Sequence, residues 1–600
     1  MYRGTWLLVG LPLLVAAFSV TQPEPLPAPP LPATFDAASA QLLAEDLVLQ
    51  TGERSPGDLG PVNWIDEKFR LYGFRSERQQ FEAEVPGLGK RTLTNVVVRV
   101  PGRSPRVIVV LAHRDEIVGG GVADNASGTA ALVELARAYA QPTTAGAPTG
   151  RVRPAHTLLF VSTDGGAYGA IGATHLAQNP AYRDKIAAVV ALASIGGNAR
   201  PRLAIDSDRP LTASPVLVRT AAERVLEETG ETPIRESVIK QLRSLAFPYS
   251  LSEQAPFVSR GVAAVTLTTA AEQRRDPTLG TSETLNVERL GQLGSAAQQL
   301  LLSLDQGIEP GPSTTGYLYL GDRILRGWAI QLVLAAMTLP FLAAAVDLFA
   351  RMRRRRVPLA PALRALRTRL LFWLSVGAIF LLLDLVGAWP DGAGRPLSPQ
   401  VETGRTWPVL ALAVLGLASF AAWGLARYRL VPRRPATDTE ELAGHTAALL
   451  GLGLLTLLVV VTNAYGLIFL LPALHAWLWL PQLRDRRPLV RGLVLAAGFA
   501  GPLLLVLSFA TSLNLGFDAP WYLVALLTVG YVPVAPALLL LVMAACAAQL
   551  TALAAGRYAP YPDAVERGPR GPFRELVRRA VLATRARRAD AQDDATAVGG

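Results

Sequence analysis

The segment that most narrows the possible folds is residues 107–138, VIVVLAHRDEIVGGGVADNASGTAALVELARA. Its first six residues form an apolar run typical of a strand buried in a parallel sheet. The run ends in His113-Arg114-Asp115. A glycine-rich turn (Gly119, Gly120, Gly121) follows, then Asp124-Asn125-Ala126-Ser127-Gly128, then an amphipathic pattern that predicts a helix over about residues 129–139. This order puts His113 and Asp115 at the carboxyl end of a strand, where open α/β sheets keep their ligand-binding residues. Spaced by two, both side chains leave an extended segment on the same side. A carboxylate so placed can hold the imidazole in one tautomer and make it a stronger metal ligand. The turn glycines follow neither GxxxxGK(S/T) nor GxGxxG, so no phosphate site is read there.

The surrounding pattern extends this unit into a domain. Amphipathic stretches at about 37–50 and 62–71 precede strands near 92–100 and 107–112. After the loop at 141–154 come a strand near 157–163, a helix near 169–178 and a strand near 188–195. Strands alternating with helices predict an α/β fold with a mostly parallel mixed sheet flanked by helices.

The stretch HRD followed by GVADNASGTAALVELARA resembles the HxD…DDNASG core of metallopeptidase family 28, the two-zinc exopeptidases. Thr94-Asn95-Val96-Val97-Val98-Arg99-Val100-Pro101-Gly102, LLFVSTDGGAYGAIGATHLA at 158–177 and SEQAPFVSRGVAAVTL at 252–267 extend the likeness over about residues 36–304. The resemblance implies a zinc-exopeptidase-like fold, aminopeptidase or glutamate carboxypeptidase-like chemistry, and two zinc ions bridged by a carboxylate. On that pattern His113 matches a histidine ligand, Asp124 the bridging aspartate and Asp115 the carboxylate behind the histidine. The family's Glu-Glu pair, base then ligand, falls on Gly166 and Ala167. The next aspartate ligand falls on Ala193 and the last histidine on Gln254. Two metal-binding positions are retained, while three ligands and the general base are absent. Loss of a general base alone costs about 100- to 10,000-fold in rate. Two ligands hold zinc weakly, since catalytic zinc sites use three or more. Asp164 and Glu253 lie close to lost positions, and His175 lies on the predicted following helix beyond the expected ligand position; these are the candidates for a rebuilt or single-metal site. Without metal, His113 and Asp115 read as a hydrogen-bonded pair at a strand end, and Asp124-Asn125 as turn chemistry.

The 600 residues exceed one ordinary domain, and the mean hydropathy of +0.30 is high for a soluble protein. The apolar excess lies after about residue 325. Runs centred near Ala336, Ile379, Ala418, Leu455, Leu471, Leu503 and Leu540 predict an all-α membrane domain of about seven helices. The resulting organisation is a signal anchor, or a signal peptide, at 1–22, with the anchor preferred. A proline-rich spacer follows at 23–35, the peptidase-like domain at 36–308, a linker at 309–325, the membrane domain at 326–555 and a basic tail at 556–600. The spacer is expected to hold the domain off the bilayer. Arginines cluster at 351–356, at Arg427, Arg429, Arg433 and Arg434, and at Arg484, Arg486 and Arg487, while the loops between them are poor in basic residues. By the positive-inside rule, the clusters and the C-terminus are expected to be cytoplasmic and the peptidase-like domain extracytoplasmic, with the plasma membrane as the expected host. The same rule accounts for the net charge of +11 without nucleic acid.

Asp384, Asn463 and His475 sit in or beside apolar runs. Intramembrane polar groups can mark a pathway, but the preferred reading is helix-end solvation for Asp384 and Asn463 and a helix–helix bond for His475. The single cysteine, Cys546, excludes an intrachain disulfide. Two function classes remain: a non-catalytic peptidase-like protein that binds or scaffolds, which is preferred, and an active membrane-bound zinc exopeptidase. The first implies no cofactor, the second zinc. Expected partners are membrane lipid and a peptide or protein ligand.

Overall fold

The computed structural model describes residues 7–117, 121–140, 153–270, 284–314, 316–390, 392, 394–400, 408–431, 437–483 and 486–556. Gly119 and Gly120, most of the loop at 141–154, Arg433, Arg434, Arg484 and the basic tail from residue 557 lie outside these residues.

The N-terminal half is a mixed α/β domain. Helices α1 (Leu7–Phe18), α2 (Ala37–Thr51) and α3 (Leu59–Leu71) precede or flank strands β2 (Ser76–Val85), β3 (Gly89–Val100) and β4 (Ser104–His113), with the short β1 (Val20–Thr21) after α1. Then come α4 (Ser127–Arg137), β5 (His156–Thr163), α5 (Ile171–Gln178), β6 (Ile186–Ala193), β7 (Arg202–Ala204), α6 (Pro215–Thr229), α7 (Val238–Ala246), β8 (Ala263–Thr268) and α8 (Val287–Leu304). Seven strands form one sheet in the order β2-β3-β5-β4-β6-β8-β7. The four central strands β5, β4, β6 and β8 run parallel, whereas β2, β3 and β7 pair antiparallel at the edges. The expectation of a mostly parallel sheet therefore holds for its centre.

Strand β4 shows why the sheet is covered on both faces. Its side chains alternate, as the pleat requires. Ile108, Val110 and Ala112 join a core with α2, α3, α4, α6 and α8. Val107, Val109 and Leu111 join a second core with Ala173 and Leu176 of α5. Helix α2 starts where the Asp36 carboxylate caps the N–H groups of Ala38 and Ser39, and it ends at Gly52 with φ +61°. Helix α4 lies so close to the sheet that a Cβ at Gly128 would stand 2.6 Å from the Leu192 carbonyl oxygen. Only glycine permits that approach.

The proline-rich segment is not a free spacer. Leu26 is buried in the domain core, and its N–H donates to the Thr220 hydroxyl at 2.9 Å. The Thr34 N–H donates to Gln298 at 2.8 Å, and Gln299 donates to the Leu31 carbonyl. The segment thus lies along α6 and α8 of the domain. The 309–325 linker is likewise structured. Strands β9 (Tyr317–Leu320) and β10 (Arg323–Arg326) form a three-stranded antiparallel ribbon with β1.

The C-terminal half is all-helical: α9 (Gly327–Arg354), α10 (Ala360–Leu385), α11 (Val409–Leu430), α12 (Asp438–Asn463), α13 (Leu467–Leu478), α14 (Pro488–Ala497), α15 (Ala500–Ser512), α16 (Ala519–Thr528) and α17 (Val534–Ala554). Among the described residues five helices are long and apolar enough to cross a membrane, or six if the pair α14 and α15, bent by 57°, counts as one span. Two of the seven apolar centres do not mark separate long helices. Leu471 lies in the short α13, continuous with α12 within 438–483, and Leu503 lies in the bent pair. His475 Nε2 lies 3.1 Å from the Met337 carbonyl oxygen of α9, the expected helix–helix bond. Asn463 donates at 3.0 and 3.2 Å to the carbonyls of Leu245 and Ala246, so it clamps α7 of the other domain. Asp384 is exposed near the end of α10.

Candidate functional site

His113 and Asp115, Asp164 to Ala167, and Ala193 lie at or just after the carboxyl ends of β4, β5 and β6, and the polar side chains among them are engaged in structural bonding. His113 ends β4, in register with Thr163 of β5. Its Nδ1 lies 3.3 Å from the Asp115 main-chain oxygen and 3.8 Å from the Asp115 carboxylate. The carboxylate therefore does not chiefly hold the imidazole, as the HxD spacing suggests. It instead accepts the N–H groups of Gly166 at 2.8 Å and Ala167 at 3.0 Å. The two positions where the family has its glutamates thus act as backbone donors to Asp115. Burial pushes the Asp115 carboxyl above its ordinary range and the charge of Asp164 adds to this, against the opposing pull of His113 and the two N–H groups.

Gly166 closes the position further. A Cβ there would stand 2.1 Å from His113 Cβ and 2.3 Å from its Cγ. No side chain, a general base least of all, fits without moving this backbone.

Asp124 sits in the turn Val122–Ala126 and is partly exposed. Its Oδ1 accepts the hydroxyl of Ser194, the residue after the Ala193 position. Ser194 has φ +50°, an uncommon left-handed conformation for a non-glycine residue. Sequence reasoning missed this serine. Next to Asp124, the Ser127 hydroxyl donates to the carbonyls of Ala123 and Asp124 and accepts the Gly196 N–H. The Asn125 amide donates to the Asp115 carbonyl at 2.7 Å.

Gln254, at the last histidine position, is fully buried and fully bonded. Its amide nitrogen donates to the Asp206 carbonyl at 3.0 Å and the Ser250 hydroxyl at 3.2 Å, and its oxygen accepts the Thr266 hydroxyl at 2.6 Å. Of the candidate substitutes, Asp164 is the anchor of a buried ion pair. Its Oδ2 lies 2.9 Å from Arg114 Nη2 and accepts the Thr94 N–H, while Oδ1 accepts those of Gly57 and Gly165. Arg114 also donates to the carbonyls of Ser162, Thr163 and Thr94. The middle residue of the HRD stretch was another miss. An arginine directly after an apolar strand, with an acid ending the neighbouring strand, was the available signal. Arg54 and Glu116 add a second buried pair at 2.6 Å. Glu253 accepts the Thr163 hydroxyl on Oε1, and its Oε2 is buried. Desolvation pushes its carboxyl up, with His113 opposing. His175 is elsewhere, stacked on Phe81 with ring centroids 4.0 Å apart.

The donors do not suit two zinc ions. Among the described residues no three His, Cys, Asp or Glu side chains converge to hold a metal. Gly166, Ala167 and Ala193 supply no donor, and the Gln254 amide is consumed.

Residues 95–300 match the family model described as Peptidase family M28. The N-terminal half is a peptidase M28-like domain. Transferrin receptor protein 2 of Rattus norvegicus is 29% identical over 166 residues, covering 26% of this chain and 19% of the receptor. The Homo sapiens protein of the same name is 28% identical over 160 residues, with the same coverage of 26% and 19%. The chain thus spans about a fifth of the length of these curated relatives. Among solved structures, an Acidobacteriales bacterium glutaminyl cyclase aligns with 21% identity and a TM-score of 0.34, covering 47% of this chain and 97% of the cyclase. An aminopeptidase from Aneurinibacillus sp. strain AM-1 aligns with 13% identity and a TM-score of 0.35, covering 46% and 95%.

Proposed function

We propose that this chain is a membrane-anchored, non-catalytic relative of the M28 peptidases, whose peptidase-like domain binds or scaffolds. The observation that carries the reading is the Gly166 position. The base of a two-zinc hydrolase would stand there, yet His113 fills the space a Cβ needs and Asp115 takes the two backbone N–H groups. The replaced ligands at Ala167, Ala193 and Gln254 point the same way, since a neutral amide oxygen is a poor zinc ligand beside imidazole. The partial relatives named as receptors fit a domain kept for binding a peptide or protein.

The orientation belongs to the same proposal. The segment after α10, Asn463 at the end of α12 and the segment after α16 all touch the peptidase-like domain. Arg351, Arg353 and Arg354 end α9, and Arg427 and Arg429 end α11, at the opposite ends of the bundle. A domain outside the cytoplasm, with the arginine ends on the cytoplasmic side of a plasma membrane, satisfies both facts. Packing of α1 along α9 supports retention of the N-terminal helix as an anchor.

The test is elemental analysis of the purified full chain together with an aminopeptidase assay on aminoacyl p-nitroanilides. We expect well under one zinc per chain, no turnover and no thermal stabilisation by added zinc. Two tightly bound zinc ions, with turnover abolished by Asp124→Ala, would reject the reading.

A further inference from the structure

We propose that the rim of the degenerate cleft has become a docking surface for the chain's own membrane half, and that Arg395 is the peg that holds it. The inference rests on interdomain geometry and not on the missing metal ligands, so it stands or falls separately from the non-catalytic reading.

Arg395 lies in the segment between α10 and α11, yet it is buried in the peptidase-like domain. Its Nε donates to the Gly169 carbonyl at 2.5 Å, its Nη1 pairs with the Asp208 carboxylate, and its Nη2 reaches the Ser250 carbonyl at 3.5 Å. Those acceptors come from the segments that wall the former site. Gly169 follows the Gly166-Ala167 position by two residues, and Ser250 both bonds Gln254 and precedes it by four. Asp208 lies two residues beyond Asp206, whose carbonyl also bonds Gln254. The planar guanidinium thus ties together the segments around Gly169, Asp208 and Ser250, a task that needs its fixed fork of donors.

The socket is shaped for this occupant. Gly169 has φ +97°, and a Cβ there would stand 2.6 Å from the Pro396 carbonyl oxygen and 3.1 Å from Arg395 Cβ. The remaining Asp208 oxygen accepts the Tyr531 hydroxyl at 3.1 Å, again from the membrane half. That hydroxyl is also 3.1 Å from the Pro248 carbonyl oxygen. Tyr249 and Tyr522 join hydroxyls at 2.7 Å, and Tyr522 also bonds the Leu397 carbonyl. Around these bonds Tyr249, Trp389, Leu397, Phe509 and Trp521 form one apolar core shared by both halves. A buried charge-assisted network inside an apolar core is stiff. Movement of α10, α11 or α16 is therefore passed directly to the 166–169 and 248–254 segments, and an outside ligand must use another face or displace the Arg395 loop.

Hydrogen exchange on the full chain in detergent micelles tests this. Arg395→Ala should speed exchange of peptides covering 165–172 and 248–254 at least about tenfold, because local opening is governed by the bonds that hold these segments. Peptides of β4 and β6 should not change. Tyr531→Phe, which removes one hydroxyl, should act on the same peptides to a smaller extent. It carries the test if the arginine variant does not accumulate. Exchange in both peptide sets that is the same in wild type and variants would overturn the inference. Such a result would leave the zinc and turnover measurements untouched.

Discussion

Gly166→Ala isolates the steric claim on which the functional reading depends. The change adds one methyl group at a glycine that lies outside the left-handed region. At a compatible site such a change stabilises by about 0.4–1 kcal/mol through the unfolded chain. Here the added carbon would stand 2.1 Å from His113 Cβ, well inside van der Waals contact. Relief requires moving either the end of β4 or the 165–169 turn. Overpacking of this kind costs about 1–3 kcal/mol. Shifting the turn also weakens the Gly166 N–H bond to the Asp115 carboxylate, worth about 1.5–3 kcal/mol for a bond to a charged group. The sum is about 2.5–6 kcal/mol, and a domain of this size loses about 2–4 °C per kcal/mol. Thermal unfolding of the full chain, followed by limited proteolysis of the domain, should show a midpoint roughly 5–24 °C lower. Gly166→Glu with Ala167→Glu should be no more stable than Gly166→Ala and should gain neither zinc nor turnover. A Gly166→Ala protein melting at or above the wild-type temperature would refute the argument, because the turn would then have room for a base.

Other consequences are equally measurable. Asp164→Ala leaves the buried Arg114 without its counter-charge and three backbone N–H groups without an acceptor, so it should cost about 3–5 kcal/mol of domain stability by thermal or denaturant melting. Glu253 has a carboxyl raised above 4.5 by burial, so the folded state binds its proton more tightly than the unfolded state does. Its burial therefore costs nothing below the unfolded pKa, and stability falls as pH rises from there through the folded pKa. Glu253→Gln should flatten that part of the pH–stability curve and raise the melting temperature at neutral pH; a steeper curve or a lower melting point would contradict the sign. Reporter fusions at Pro310 and after Asp590 should report opposite sides of the membrane, and signals on the same side would reject the proposed orientation.

The division of the chain was legible because it is written in local periodicity. An apolar strand before His113, an amphipathic helix after Gly128 and apolar runs after residue 325 each declare themselves within one element. The edge strand β2 was not legible. Its residues Ser76 to Val85 alternate only weakly between buried and exposed, and it is defined by its antiparallel pairing with β3. The absence of donors at Gly166, Ala167 and Ala193 could be read by position alone.

The class of fold, the run of apolar helices after residue 325 and the lack of side-chain donors at Gly166, Ala167 and Ala193 can all be read along the chain. What fills the space left by those donors follows from three-dimensional packing. His113 Cβ occupies the Gly166 position, Arg114 reaches Asp164 from the neighbouring strand, Ser194 takes the Asp124 carboxylate, and Arg395 crosses 226 residues of sequence to bond Gly169. The physical reason is that a side chain's partners depend on distance in space. Strand register, the hand of a turn and the docking of two halves set that distance, and none of these is encoded in the spacing of residues along the chain.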